Sequence, residues 1–129
     1  MIITDCGNST KLAQKIAKKL SAKYTKLSIS SFPDGDIYLK YNIDVKKKTV
    51  VIVQSFQPNS DQSLFRVIFA GETAKQLGAK KVILVAPYLA YMRQDKMFNK
   101  GESITSKVMA KLINNTFDKL ITIDPHLHR

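Results

Sequence analysis

The segment Arg93-Gln94-Asp95-Lys96 combines side chains that are suited to binding phosphate groups. A guanidinium donates two parallel hydrogen bonds to phosphate oxygens, an ammonium adds a point charge, and an amide can donate or accept. An ordinary solvated loop also contains polar residues in a row, and four of them taken alone favour that simpler interpretation. The segment is therefore a candidate phosphate site that needs support from the rest of the chain.

A second polar group closes the sequence, where Asp124, His126 and His128 alternate with other residues. Carboxylate oxygen and imidazole nitrogen are ordinary metal ligands, and alternate residues of an extended segment point to the same side. A histidine that binds nothing is nevertheless the more common case. The pattern leaves a metal site and an unliganded polar segment both open.

The usual glycine-rich signals of nucleotide binding are missing. The five glycines form neither the G-x-x-x-x-G-K-[ST] nor the G-x-G-x-x-G pattern, in which backbone N–H groups bind the phosphates. If the chain binds ATP, side chains such as that of Arg93 must hold the phosphates.

Three continuous apolar runs, at residues 50–53, 82–86 and 120–123, predict strands that are covered on both faces. Helical patterns separate these runs. One extends from about residue 60 to 77 and ends at the following glycine, and the other follows a capping Ser103. This alternation predicts a doubly wound α/β fold, with a mostly parallel sheet and helices on both faces.

The first forty residues predict further elements of the same domain. A short strand at Ile2-Ile3 leads into a helix that Ser9 can cap. Two strands at 27–32 and 37–41 alternate apolar with polar residues. The turn at 33–35 joins them, because its proline pre-sets φ and its glycine accepts a positive φ. We expect these strands to form an antiparallel edge hairpin.

Ligands of open parallel sheets bind beyond the carboxyl ends of the strands. This rule selects the segments 54–55, 87–102 and 124–129. The stretch 87–102 is too long for an ordinary strand-to-helix connection, and irregular segments of that length are usually functional or mobile. Both candidate polar groups therefore fall in segments that the rule selects.

Length and composition indicate one domain of 129 residues with a net charge of +11. Lysines supply nearly all of that charge and are not interleaved with aromatic residues. This pattern favours a solvated surface, and a basic nucleic-acid-binding domain is the less favoured alternative. Cys6 has no second cysteine with which to pair. The sequence has neither a membrane-spanning run nor a signal peptide, so we expect a cytoplasmic protein.

Four motifs, which together cover nearly the whole chain in order, resemble those of ribose-phosphate pyrophosphokinases. Residues 32–36 resemble the family's Phe-x-Asp-Gly-Glu segment, and residues 53–61 its Gln-Ser/Thr…Pro…Asp stretch. Residues 87–96 are similar to Pro-Tyr-x-x-Tyr-x-Arg-Gln-Asp-Arg, and residues 122–126 resemble the segment that ends in Asp-Leu-His. Two positions depart from the family pattern, because an aspartate replaces glutamate at 36 and a lysine replaces arginine at 96.

The resemblance implies a shared nucleotide site. Phe32, Asp34 and Asp36, with Gly35 in the same turn, match positions that contact the adenine and ribose of ATP. In this family a neighbouring subunit supplies those residues. The resemblance therefore implies a homo-oligomer, either a dimer or a hexamer, with the turn at a subunit contact.

The two polar groups also acquire roles through the resemblance. Arg93 and Gln94 match ATP-binding positions, and Asp95 and Lys96 lie beside them. His126 matches a ligand of the catalytic Mg²⁺. No residue of this chain matches a catalytic residue of the family.

The implied reaction transfers pyrophosphate from ATP to ribose 5-phosphate, giving phosphoribosyl pyrophosphate and AMP. Residues 1–129 would be the amino-terminal domain and supply ATP binding, while a second, carboxy-terminal domain is absent from this chain. The leading alternative is a non-catalytic, regulatory relative with the same fold.

Overall fold

The computed structural model describes residues 1–125 as an α/β domain with two sheets. The strands are β1 (Ile2–Asp5), β2 (Lys23–Tyr24), β3 (Ser28–Ser31), β4 (Ile37–Lys40), β5 (Thr49–Val53), β6 (Lys81–Ala86) and β7 (Lys119–Thr122). The helices are α1 (Thr10–Lys19), α2 (Ser60–Gln76) and α3 (Thr105–Thr116).

The larger sheet has five parallel strands in the order β2-β1-β5-β6-β7. The three apolar runs of the sequence form β5, β6 and β7, which confirms the predicted parallel sheet. Strand β2 was not predicted, because two residues without an apolar run carry too little pattern to indicate a strand. From β1 the chain continues to β2 on one side of the sheet, and from β5 it continues to β6 on the other side. The direction in which strands are added therefore reverses between β1 and β5.

Helices cover the two faces of this sheet, as predicted. Ala13 and Ala17 of α1 pack with Ile3, Val51 and Val53 on one face. The opposite face carries the larger core, in which α2 and α3 pack on the other residues of the same strands. That core includes Ile52, Leu84, Val67, Ala70, Met109 and Ile113.

The predicted helix ends are partly correct. Gly78 follows α2 with a φ of 82°, the left-handed conformation that glycine adopts readily at a helix end. Ser9 lies at the N-cap position of α1, although its hydroxyl accepts the Ser55 N–H instead of capping the helix. The prediction for Ser103 was wrong by one position, because Ile104 is the N-cap residue of α3.

The antiparallel hairpin of β3 and β4 forms a sheet of its own and is not hydrogen-bonded to the parallel sheet. Its inner face presents Ile29 and Leu39 to the larger core. Just after β4, the Tyr41 hydroxyl donates to the Ala70 carbonyl of α2 at 2.9 Å. These contacts attach the hairpin to α2 and leave its turn exposed.

The edge strand β7 is less covered than its apolar sequence predicted. Leu120 is 36% exposed and Ile121 46% exposed. Ile121 pairs with Val85, which lies on the same face of the sheet as α1. Helix α1 packs over β1, β2 and β5, at the other end of that face from Ile121. The half of that face formed by β6 and β7 has no helix of residues 1–125 above it.

The surface charge lies on solvated side chains. Lys11, Lys15 and Lys18 are exposed along the outer side of α1. Within residues 1–125, one ion pair joins Glu72 to Lys75, at 3.7 Å. No helix of the described chain has the length and apolar content needed to cross a bilayer. The cytoplasmic location stays a prediction from the sequence.

Gly71 of α2 lies against the carboxyl end of α3, and this contact can be tested. A Cβ at this position would overlap Thr116 Cγ2 and lie 3.0 Å from the ring of Phe117. We expect Gly71→Ala to lower the free energy of unfolding by about 1–3 kcal/mol, because overpacking outweighs the better helix propensity of alanine. Chemical denaturation measures this change. Gln76→Ala, at an exposed position of the same helix, is the control, and equal stability of both variants would contradict a tight contact.

Candidate functional site at the carboxyl edge of the sheet

Four connections meet at the carboxyl edge of the parallel sheet. They are the β1–α1 loop (6–9), the β5–α2 loop (54–59), the β6–α3 loop (87–104) and the segment after β7 (123–125). Parallel pairing places all of them on one side of the molecule, where open α/β sheets bind ligands. Three of them contain the segments selected from the sequence.

Backbone contacts fix the first part of the β6–α3 loop. Leu89 and Ala90 are buried in the core, and the Phe56 N–H donates to the Tyr88 carbonyl at 3.1 Å. Tyr91 then adopts a φ of 65°. The loop is therefore anchored at its start by packing and by a bond to the neighbouring β5–α2 loop.

The start of α3 anchors the segment that carries Arg93. The Thr105 hydroxyl donates to the Tyr91 carbonyl at 3.0 Å, and the Ser106 N–H donates to the Gln94 carbonyl at 3.2 Å. Between these bonds the Arg93 side chain is exposed, while Gln94 is half-buried. The backbone that carries the exposed guanidinium is therefore held at two carbonyl groups.

The second part of the loop closes on a carboxylate. Glu102 accepts hydrogen bonds from the Asn99 side chain at 2.7 Å and from the Phe98 and Asn99 N–H groups at 3.0 Å. The bond from the Asn99 side chain is the main reason that the pKa of Glu102 falls below its ordinary value. A lowered carboxyl pKa means that these bonds hold the loop above about pH 4.5 and weaken as pH falls further.

A cleft of about 550 Å³ joins this loop to the end of β7. Asp95 lines it from the loop, Lys107 from α3, and Thr122 and Pro125 from β7 and the segment after it. Of residues 93–96, Asp95 is thus the one that lines a cleft with the segment that leads to the candidate metal ligand. Asp124 is exposed there, and His126 and His128 lie outside the described residues.

The hairpin turn is a separate site in the structure. The Phe32 N–H donates to the Asp36 carbonyl at 2.8 Å, and the Asp36 N–H donates to Asp34 Oδ1 at 3.1 Å. The ring of Phe32, which is 52% exposed, meets that of Tyr38 edge to face with centroids 5.9 Å apart. These residues do not line the cleft beside Asp95.

Comparison with known proteins decides the family. Residues 1–116 match the model of the N-terminal domain of ribose phosphate pyrophosphokinase. The chain belongs to this family.

Relatives named ribose-phosphate pyrophosphokinase share about a third of the sequence. The protein of Methanopyrus kandleri is 33% identical over 98% of this chain, and that of Saccharolobus solfataricus is 32% identical over 98%. The chain spans only 43% and 44% of those two proteins. The fold also superimposes on the phosphoribosylpyrophosphate synthetase of Mycobacterium smegmatis with a TM-score of 0.89 and 24% identity, covering 98% of this chain and 43% of that one.

The β1–α1 loop lies at the same edge and is not among the segments selected from the sequence. A second cleft, of about 470 Å³, lies at the carboxyl edge between this loop, Ser55 and Pro87. Gly7, Asn8 and Ser9 line it. The rule that selected the other loops also applies to the strand Ile2-Ile3, so the polar Gly-Asn-Ser segment after it was the available signal.

The buried amide of Gln54 connects that loop to the β5–α2 loop. Its Oε1 accepts the Cys6 N–H at 3.1 Å and the Asn8 N–H at 3.3 Å, and its Nε2 lies 3.4 Å from the Ser63 hydroxyl. Gln54 is fully buried, so it holds the edge of the sheet in place and is not itself a contact for a ligand. Cys6 is buried beside it, and burial raises the pKa of its thiol.

A buried carboxylate fixes the other side of the β1–α1 loop. Asp5 is 4% exposed and accepts hydrogen bonds from the Gly7 N–H, the Thr10 hydroxyl and the Tyr24 hydroxyl. Burial, followed by the bond to Asp5, raises the pKa of Tyr24 to about 12. The phenol therefore stays protonated at neutral pH and serves as a constant donor to this carboxylate.

We predict that Gln54→Met destabilises the domain. The substitution keeps the volume but leaves the N–H groups of Cys6 and Asn8 without their acceptor, which should lower the free energy of unfolding by about 2–4 kcal/mol. Thermal or urea unfolding measures the effect. Gln62→Met, at an exposed position of α2, makes the same chemical change and should have little effect. A Gln54→Met variant as stable as this control would show that the amide does not hold the two loops.

Proposed function

We propose that this chain is the ATP-binding half of an enzyme that transfers pyrophosphate from ATP to ribose 5-phosphate. One observation carries the proposal: Arg93 and Gln94 lie on an anchored loop at the carboxyl edge of the sheet, and the next residue of that loop, Asp95, lines a cleft together with Thr122 and Pro125. Family membership and the names of the relatives support the same reaction.

The proposed role of this half is to position ATP and neutralise its charge. Pyrophosphoryl transfer needs the reactants held in line and negative charge compensated, and it needs no protein nucleophile. The Arg93 guanidinium would donate to the phosphate oxygens, and the Gln94 amide would donate or accept beside it. Lys107 also lines the cleft and adds a positive charge to its wall.

We propose that His126 binds the catalytic Mg²⁺. Mg²⁺ in nucleotide sites takes one or two protein ligands and fills its other positions with water and phosphate oxygens. This small requirement suits the site, because no group of three candidate ligands lies within residues 1–125, whereas the Asp124 carboxylate is exposed just before His126. When bound, Mg²⁺ would supply charge neutralisation at the transferred group.

The exposed hairpin turn suits a role in a neighbouring subunit. We propose that Phe32 stacks on adenine and that Asp34 and Asp36 accept hydrogen bonds from ribose hydroxyls of ATP held by the neighbour's Arg93 loop. The turn projects an aromatic ring and two carboxylates into solvent, apart from the cleft that Asp95 lines in its own chain. The proposal implies that the active protein is a homo-oligomer.

The remaining parts of the reaction are assigned to a second domain. We propose that residues 1–129 form the amino-terminal domain and that the groups which bind ribose 5-phosphate belong to a carboxy-terminal domain. The chain's share of the M. kandleri relative, 43%, leaves room there for a domain of at least equal size. The open half of the sheet face at β6 and β7 is a surface that such a domain can cover.

We predict that Arg93→Ala weakens ATP binding. Loss of a hydrogen-bonded guanidinium should cost about 1.5–3 kcal/mol, which raises the dissociation constant roughly 10- to 150-fold. Titration of the ¹⁵N-labelled chain with ATP and Mg²⁺, followed by NMR chemical shifts, measures even millimolar affinities.

Lys111→Ala provides a matched control, since it removes the same charge from an exposed position of α3. Screening at physiological salt should limit its effect to less than about twofold. If both variants weaken binding equally, ATP responds to the net charge of the chain and Arg93 does not form the site.

We further predict that the 129 residues alone form no phosphoribosyl pyrophosphate. The reason is that this half has no groups assigned to ribose 5-phosphate, although it binds ATP weakly. The measurement is AMP release from ATP and Mg²⁺, with and without ribose 5-phosphate, using protein purified from a host whose own enzyme is absent. AMP release that depends on ribose 5-phosphate would overturn the two-domain assignment.

A further inference from the structure

The backbone around Arg93 is held at two carbonyl groups by the first turn of α3. One bond comes from the Thr105 hydroxyl to the Tyr91 carbonyl, at 3.0 Å, and the other from the Ser106 N–H to the Gln94 carbonyl, at 3.2 Å. The second bond uses a backbone N–H as its donor, so it depends little on the side chain of Ser106. The first bond depends entirely on the hydroxyl of Thr105.

Tyr91 needs such a restraint. Its φ of 65° lies in the left-handed region, which bulky L residues rarely adopt because Cβ crowds the backbone. The ring packs partly buried against the larger core, which fixes the side chain. The Tyr91 carbonyl belongs to the peptide unit that joins Tyr91 to Met92. A hydrogen bond to it therefore orients that peptide and sets the direction in which Met92 and Arg93 leave the core.

The hydroxyl of Thr105 has no role in capping its own helix. Thr105 is the first residue of α3, one position after the N-cap residue Ile104, and no side chain caps this helix. Serine and threonine normally occupy the cap position itself and bond to the N–H groups of the first turn. Here the hydroxyl instead contacts a carbonyl 14 residues earlier in the chain.

We propose that Thr105 is a positioning residue for Arg93. Its hydroxyl holds the carbonyl of the left-handed Tyr91, and this fixes the backbone from which the Arg93 side chain extends before ATP arrives. This proposal rests on the proposed function of Arg93 as an ATP-binding residue. It adds Thr105 as a residue that does not contact ATP and orders the loop that does. The class of ligand stays a nucleoside triphosphate.

Two measurements on the 129-residue chain test the proposal. The first is amide hydrogen exchange of peptides from the 88–98 segment without any ligand. The second is the ATP titration by NMR. The variants are Thr105→Val, which replaces the hydroxyl with a methyl group, and Thr105→Ser, which keeps the hydroxyl. Thr116→Val makes the same change at the buried far end of α3 and controls for general loosening of that helix.

We expect Thr105→Val to speed exchange in the 88–98 segment about tenfold and to weaken ATP binding roughly 3- to 10-fold, the effect of one hydrogen bond. Thr105→Ser should match the unmodified chain in both measurements, and Thr116→Val should leave the exchange of the 88–98 segment unchanged. The effect on ATP should vanish in the background of Arg93→Ala, because the hydroxyl acts only through that side chain. A merely structural role would weaken binding further in the double variant.

Three results would overturn the proposal. The first is that Thr105→Val leaves exchange in the 88–98 segment unchanged. The second is that Thr105→Val speeds this exchange and keeps its affinity for ATP, while Arg93→Ala loses affinity. The third is an equal effect of Thr105→Val on ATP binding with and without Arg93. If Arg93→Ala itself keeps ATP affinity, the proposed function of Arg93 fails, and the positioning role fails with it. Should Thr105→Val not fold, Thr105→Ala removes the hydroxyl without adding a methyl group and is judged by the same results.

Discussion

The parallel register of β1, β5, β6 and β7 is the constraint on which the site depends. Because Val53 pairs with Val85 and Ala86 pairs with Thr122, the loops that follow β5, β6 and β7 begin at nearly the same level. Parallel strands cannot be joined by short turns, and the loops after β1, β5 and β6 each lead into a helix that returns across the sheet. The polar segments therefore gather at one edge, whatever their separation along the chain.

Much of this arrangement could be predicted from the sequence, because it depends on local patterns. Continuous apolar runs mark strands covered on both faces, and the glycine after α2 marks a helix end. Where local pattern was weak the prediction failed, as in the two-residue strand β2 and in the start of α3, placed one position early. The exposure of Ile121 could not be predicted, since strand composition does not report which neighbours a sheet edge has.

The position of the candidate residues at the carboxyl edge of the sheet could be predicted from the sequence, whereas the bonds that hold the loops of that edge could not. Arg93 and Gln94 are recognisable by type and position after an apolar strand. The bond from Thr105 to Tyr91, which holds their loop, joins residues 14 positions apart, and the bond from Gln54 to the β1–α1 loop at the same edge joins residues 48 positions apart. Such pairings are set by packing in three dimensions, and a left-handed tyrosine leaves no trace in composition. A polar residue such as Gln54 looks like a surface contact in the sequence and is fully buried in the structure.

The charge of the chain explains why geometry has to provide the selectivity. With 21 basic and 10 acidic residues, the whole surface attracts a polyanion such as ATP, and this attraction speeds encounter without choosing a place. Only three of the 21 basic residues are arginines, at positions 66, 93 and 129. A lysine offers a point charge, whereas a guanidinium offers two parallel donors in a planar fork and so loses less side-chain entropy for each hydrogen bond it forms. Arg66 already donates to the Cys6 carbonyl at 3.3 Å, so among residues 1–125 Arg93 is the arginine that the fold both holds in place and leaves exposed. In the proposed function, general attraction brings ATP to the surface, and the anchored loop determines where it binds.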